Sequence, residues 1–139
     1  GRKYNDYDVR TIDGLQVRAS EYYKDKLTLV ICWASWCSPC TRDACDIIPI
    51  YNEYRNRGLN MFSLAHEFKS TDAMRKAVGR HAFPWPCLVD LDDEFGVFRK
   101  HGTQNSALFL IDCDGTIIAV PNSVEELKAK LEEIFPDNK

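Results

Sequence analysis

The sequence has no run approaching the ~20 apolar residues that a bilayer-spanning helix needs. Its longest candidate, Leu27 to Trp36, is too short to span a bilayer and reads as a buried strand. An excess of positive charge is also missing: 18 Lys and Arg stand against 21 Asp and Glu, a net charge of −3. No nucleic-acid or anionic-membrane partner is therefore expected, since either favours a basic face. There is no internal repeat, low-complexity tract or linker-like run, so residues 1–139 read as a single domain, long enough for a core without staples. No second C-x-x-C or closely spaced Cys/His pair accompanies Cys37 and Cys40, and His66, His81 and His101 are isolated. A tetrahedral zinc site lacks its other ligands, and no metal is expected. A secretory leader is absent too. The chain opens on Gly1-Arg2-Lys3 without a Met, as a processed or trimmed chain does, so that absence says little about origin.

What is present is a globular composition, 45% hydrophobic and 28% charged with both signs mixed. Cys32, Cys45, Cys87 and Cys113 are scattered singly, too sparsely for a disulfide scaffold. They read as small packed residues, because cysteine is among the most often buried types.

Along the chain, Tyr7-Asp8-Val9 and Leu15-Gln16-Val17 flank Asp13-Gly14 as a hairpin. Leu27 to Trp33 is a strand covered on both faces. After the C-x-x-C, Ile47, Ile48, Tyr51 and Tyr54 follow helical spacing; Pro49 should kink that helix and Gly58 should stop it. Leu59 to Leu64 is a second strand. Ala73, Met74, Ala77 and Val78 mark a helix capped near Ser70 or Thr71. Phe83-Pro84-Trp85-Pro86 is a rigid connector, with a helical turn or two within Asp92 to Lys100. Ala107 to Ile111 and Thr116 to Val120 form a hairpin. The last helix carries a capping box, Ser123 with Glu126, the stripe Val124, Leu127, Leu131 and Ile134, and a stop at Pro136. Alternating strands and helices imply a three-layer α/β/α domain, a central mixed sheet with an N-terminal β-hairpin extension.

A C-x-x-C where a buried strand turns into a helix is chemically pointed. The helix N-terminus offers unpaired N–H donors and partial positive charge, which favour a thiolate. Cys37 lies at that end and is the expected nucleophile; Cys40 lies about one turn inside and resolves the mixed disulfide. Pro39 fits the first turn, where its missing N–H costs little. A structural disulfide is the bland alternative, but so short a loop constrains little chain entropy.

Trp33-Ala34-Ser35-Trp36-Cys37-Ser38-Pro39-Cys40 resembles the W-A-x-W-C-x-P-C signature of thioredoxin-like proteins. Phe109-Leu110-Ile111-Asp112 with Asp114-Gly115-Thr116-Ile117-Ile118 resembles the F-L-I-D-x-x-G-x-I hairpin of the TlpA/ResA branch. Asp13-Gly14-Leu15 through Asp25-Lys26 is similar to that branch's opening segment, so the resemblance runs from about Asp6 to Phe135. It implies a thioredoxin fold and a thiol–disulfide oxidoreductase whose only redox group is the Cys37–Cys40 disulfide, with no other cofactor. It also implies protein thiol or disulfide substrates, an upstream electron-donor protein, a monomer, and an extracytoplasmic, periplasmic setting in bacteria. Membrane association would come only through a tether this chain lacks.

The resemblance implies further site residues and shows departures. The family's cis-proline before the F-L-I-D strand falls on Ser106; Pro84 and Pro86 lie too far upstream to replace it. A non-proline cis bond costs ~2.5–4 kcal/mol, so Asn105–Ser106 is expected to be trans. The substrate ledge made by Asn105 and Ser106 is thereby reshaped. Ile31 occupies the place of the buried Asp of thioredoxins. Glu67 lies near where some family members carry a Glu; it is either the proton acceptor for Cys40 or a solvated loop residue. His66 is a weaker candidate of the same kind. Cys45 replaces the usual helix-kinking proline, with Pro49 one turn later. It is either a partner for Cys40 or a packed thiol. Trp36 flanks the thiols as an apolar surface for substrate, and Ser38 tunes the potential from between the cysteines. Trp85 either approaches the same face or anchors its loop.

The leading reading is disulfide exchange through Cys37 and Cys40. The alternatives are a thioredoxin-fold binding module with turnover impaired by Ser106, and a thiol peroxidase, whose nucleophile sits in a different T-x-x-C setting.

Overall fold

The computed structural model describes residues 1–136; the last three residues of the 1–139 domain reading lie outside the described residues. In chain order the elements are β1 (Asp8–Thr11), β2 (Gln16–Arg18), β3 (Thr28–Trp33), α1 (Ser38–Tyr54), β4 (Asn60–Glu67), α2 (Asp72–His81), β5 (Cys87–Leu91), α3 (Val97–His101), β6 (Ala107–Ile111), β7 (Ile117–Ala119) and α4 (Val124–Ile134). The strands make one seven-stranded mixed sheet in the order β2–β1–β5–β4–β3–β6–β7. Among the described residues no helix is long and apolar enough to cross a membrane.

The unbroken apolar run of β3 has its cause here: all six residues are buried, between parallel β4 and antiparallel β6. Alternation divides it between two cores. Leu29, Ile31 and Trp33 face the layer that holds α1, α2 and α4. Val30 and Cys32 face the opposite layer, where α3, the 3₁₀ turn Ala19–Tyr22 and the aromatic segment around Tyr4 and Tyr7 pack. Both faces are covered, which is the three-layer arrangement.

Helix α1 buries Cys40, Ala44, Ile47, Ile50 and Tyr54 at helical spacing. It runs through Pro49 without a break to Tyr54, and a 3₁₀ turn, Arg55–Arg57, carries the chain to Gly58, whose φ of +113° suits glycine. Of the predicted stripe, Ile47 and Tyr54 are buried, while Ile48 and Tyr51 pack half-buried at its edge and Ile50 takes an inward place. Ser123 Oγ accepts from the Glu126 amide at 3.1 Å, as a capping box requires. The Glu126 carboxylate reaches one residue further out, to the Asn122 amide at 2.7 Å. On α2 the cap residue is Thr71, but it makes no side-chain capping bond.

One strand goes beyond the sequence reading. β5, directly after the Pro84–Pro86 connector, lies parallel to β4 and antiparallel to β1. It is the strand that joins the N-terminal hairpin to the sheet. Its Asp90 is fully buried and accepts from the Phe95 and Val97 amides, both at 3.0 Å. A carboxylate inside a short apolar run hides the strand pattern, yet here it caps α3. Cys113 also departs from expectation: it is exposed in the β6–β7 turn, where Asp112 binds the surrounding amides and the thiol points outward.

Candidate active site

β3 ends at Trp33, and the chain turns through Ala34, Ser35 and Trp36 into the first turn of α1. Cys37 is the N-cap of that helix, with Ser38 and Pro39 as its first two residues. The geometry gives Cys37 and Cys40 one another: their Cα atoms are 5.3 Å apart and their sulfurs are bonded. The two are not equivalent. Cys40 is 4% exposed against the core, whereas Cys37 is half-exposed at the rim.

Two N–H groups converge on the outer sulfur. The Cys40 amide donates to Cys37 Sγ at 3.4 Å, and Asn105 Nδ2 approaches it at 3.7 Å from a loop far along the chain. Negative charge on that sulfur meets both donors and the positive end of a 17-residue helix.

The Asn105 loop stands where the family's proline would be. Asn105–Ser106 is trans, in line with the cost of a non-proline cis bond. Thr103 organises the turn instead of a ring: its Oγ accepts from the Asn105 and Ser106 amides and donates to the Ser106 carbonyl at 2.7 Å. Ser106 is exposed and opens onto a recess of about 170 Å³ shared with Cys40, Ile31 and Asp43. Asp43 escaped the sequence reading, although it follows Cys40 by three residues, a same-face spacing on a helix.

Glu67 is the last residue of β4 rather than a loop residue, and it is 2% exposed. Its two oxygens are both taken by Ser35, Oε2 by the amide at 2.8 Å and Oε1 by the hydroxyl at 2.5 Å. The carboxylate thus clamps the turn two residues before Cys37. His66 beside it is buried on the other face of the strand and stacked on Phe98 at 4.3 Å. Its Nδ1 donates to the Gln104 carbonyl at 2.5 Å, and its Nε2 pairs with Asp93 at 2.7 Å. Its backbone carbonyl accepts from Trp36 Nε1 at 2.8 Å. One residue therefore ties the Trp36 side of the disulfide to the Asn105 side. No local pattern announces the partners Asp93 and Gln104.

Trp36 is 52% exposed, leaning on Phe68, itself an exposed ring. Trp85 is brought elsewhere: 3% exposed, it packs edge-on against Tyr51 and beside Phe83, as a loop anchor does. Cys45 is a free, half-buried thiol on α1, raised from its ordinary value by burial and by Asp46. Cys32, deep in the sheet, is pushed up to about 12 by burial and is inert as a nucleophile near neutrality. Among the described residues no cluster of three metal-ligating side chains forms.

The arrangement therefore has an outer sulfur backed by donors, an inner sulfur in the core, and an apolar ring beside the pair. The sequence model of the AhpC/TSA family matches residues 1–120. The thiol-disulfide oxidoreductase ResA of Bacillus thuringiensis subsp. konkukian is 25% identical over 135 residues, covering 96% of this chain and 75% of that protein. The thioredoxin domain of a thiol-disulfide oxidoreductase from Bacteroides vulgatus superposes with a TM-score of 0.83 at 20% identity, over 96% of both chains. A thiol-disulfide oxidoreductase from Bacteroides fragilis gives 0.83 at 20% identity, over 96% of this chain and 99% of that one. These structural likenesses establish the thioredoxin-type fold.

Proposed function

The chain belongs to the AhpC/TSA family, and on that footing we propose that it is a thiol–disulfide oxidoreductase acting on protein substrates through Cys37 and Cys40. The observation that carries the reading is the asymmetry of the pair: a rim sulfur facing two N–H donors, bonded to a core sulfur.

In the reduced protein, Cys37 thiolate attacks one sulfur of a substrate disulfide. The S–S bond breaks, one substrate sulfur leaves as thiolate, and a mixed disulfide forms. Cys40 then loses its proton and attacks Cys37 Sγ, releasing the second substrate thiolate and forming the Cys37–Cys40 bond. Two electrons have passed from the protein dithiol to the substrate, and an upstream electron-donor protein restores the dithiol. Run backwards, the same steps oxidise a substrate dithiol.

Trp36, Asn105 and Ser106 border the sulfurs and are the proposed docking ledge, with Ser38 and Pro39 between the cysteines. Trp85 belongs to the core behind them. Glu67 is the proposed acceptor of the Cys40 proton, held in orientation by Ser35. No cofactor beyond the disulfide is needed. A monomer in an extracytoplasmic, periplasmic setting in bacteria is part of the same proposal. That part rests on the resemblance of the W-A-S-W-C-S-P-C and F-L-I-D segments.

Insulin reduction by dithiothreitol tests the activity. The wild-type protein accelerates it and Cys37→Ala does not; equal rates would leave only a binding module. Cys40→Ala accumulates mixed disulfides through Cys37, and mass mapping that found Cys40 linked to substrate would reverse the two roles. Glu67→Gln slows decay of the mixed disulfide and spares its formation. Unchanged decay removes Glu67 from the proton step.

A further inference from the structure

A groove of about 560 Å³ lies between α1 and α2; Ser35 and Ser38, on either side of Cys37 in the chain, form one end of it. Arg42, Lys76, Arg80 and His81 line it, and its lining contains no carboxylate. The chain as a whole carries a net charge of −3, so this basic strip runs against the average of the molecule. Four arginines elsewhere are paired with carboxylates: Arg10 with Glu94, Arg18 with Asp6 and Asp8, Arg57 with Glu53, and Arg75 with Asp13. Among the described residues Arg2, Arg55 and Arg99 are not, but none of these lines the groove. Among the described residues no ion pair forms at Arg42, Lys76 or Arg80. Asp43 opens onto the recess beside Cys40 instead. Asp46 is near enough to Cys45 to raise its thiol, but does not line the groove. The positive end of α1 adds to the same field.

We propose that this groove seats an acidic stretch of the substrate polypeptide, next to the cysteine that exchanges with Cys37. The proposal rests on the thiol–disulfide reading and specifies its substrate class. Unpaired cations beside the reacting sulfurs raise the local concentration of an acidic partner and orient it, while the negative remainder of the surface repels acidic chains that approach elsewhere. The length of the groove sets the register. From Ser38 to Cys45 along α1 is about 10 Å, which an extended peptide spans in about three residues. The acidic residues therefore lie within about five residues of the substrate cysteine.

The test uses three disulfide peptides, identical except that the positions flanking the cysteine carry Glu, Gln or Lys. Stopped-flow exchange with the reduced protein reads the second-order rate. In low salt the Glu peptide exchanges about tenfold faster than the Gln peptide and the Lys peptide slower; the spread collapses near 1 M salt, where screening acts within about 3 Å. Lys76→Glu with Arg80→Glu, both at exposed positions, inverts the order of the Glu and Lys peptides, with circular dichroism confirming the fold. Equal rates for the three peptides in low salt overturn the groove and leave disulfide exchange standing. A charge preference that survives in the double variant also overturns it. If none of the peptides exchanges, the oxidoreductase reading itself falls and takes this proposal with it.

Discussion

Replacing Ser35 with Ala removes the hydroxyl that donates to Glu67 Oε1 and leaves the amide that holds Oε2. The carboxylate is 2% exposed, so the lost bond is one to a buried charged acceptor. Such bonds contribute about 1.5–3 kcal/mol each, and the expected loss is about 2 kcal/mol. With an unfolding entropy of about 2.1 cal/mol/K per residue, that loss lowers Tm by about 7 °C for a chain of this size. The measurement is thermal and urea unfolding of the oxidised protein, in which the Cys37–Cys40 bond stays intact throughout. A double-mutant cycle with Glu67→Gln isolates the interaction. Against a neutral amide the same truncation costs only about 1 kcal/mol, leaving a coupling energy of about 1 kcal/mol. Additive effects, within about 0.3–0.5 kcal/mol, would refute the clamp and leave Ser35 as an ordinary turn residue.

Three other outcomes are expected. Asp90→Ala strips the cap from α3 and leaves the Phe95 and Val97 amides without their acceptor, a loss of about 2–4 kcal/mol read as a drop in urea midpoint. Ala82 ends α2 with φ +54°, so Ala82→Gly stabilises by up to about 1 kcal/mol; a lower Tm would contradict the strain. Burial raises Tyr4, Tyr7 and Cys32 above their unfolded values. Their neutral forms therefore favour the native state fully below the unfolded values, and that stability drains away as the pH rises through the folded ones. Urea midpoints should fall from pH 8 to pH 10.5, and less steeply in Cys32→Ala.

The parts of this architecture that were legible in the sequence have local causes. The C-x-x-C follows a strand whose side chains are buried on both faces, so β3 had to be an unbroken apolar run. The Ser123 cap and the α4 stripe obey helical spacing. What escaped has its cause elsewhere in the chain. β5 is short, follows two prolines and hides a carboxylate that only a helix beyond the strand explains. Glu67 is a strand residue because it pairs with Leu91 of β5, and Ser35, distant in sequence, supplies the hydrogen bonds of its carboxylate. Asn105 reaches Cys37 across a sequence separation of 68 residues, and the bonds of the Thr103 hydroxyl to the Asn105 and Ser106 amides and the Ser106 carbonyl, which shape its loop, have no pattern of their own. Trp85 sits between prolines, a setting that suits a surface loop, and only the packing of Tyr51 and Phe83 makes it a core anchor.

The strand order also sorts the contacts of the site by their distance along the chain. Cys37 and Cys40 are three residues apart, and β3, which leads to them, has its parallel partner β4 nearby in sequence. The other edge of β3 is closed by β6, where Ile111 lies opposite Thr28, and the N-terminal hairpin enters the sheet only through β5, where Arg10 lies opposite Val89. Asn105 reaches Cys37 across 68 residues. The bond between the sulfurs is thus a local contact, while the surroundings that distinguish one sulfur from the other depend on contacts of long range.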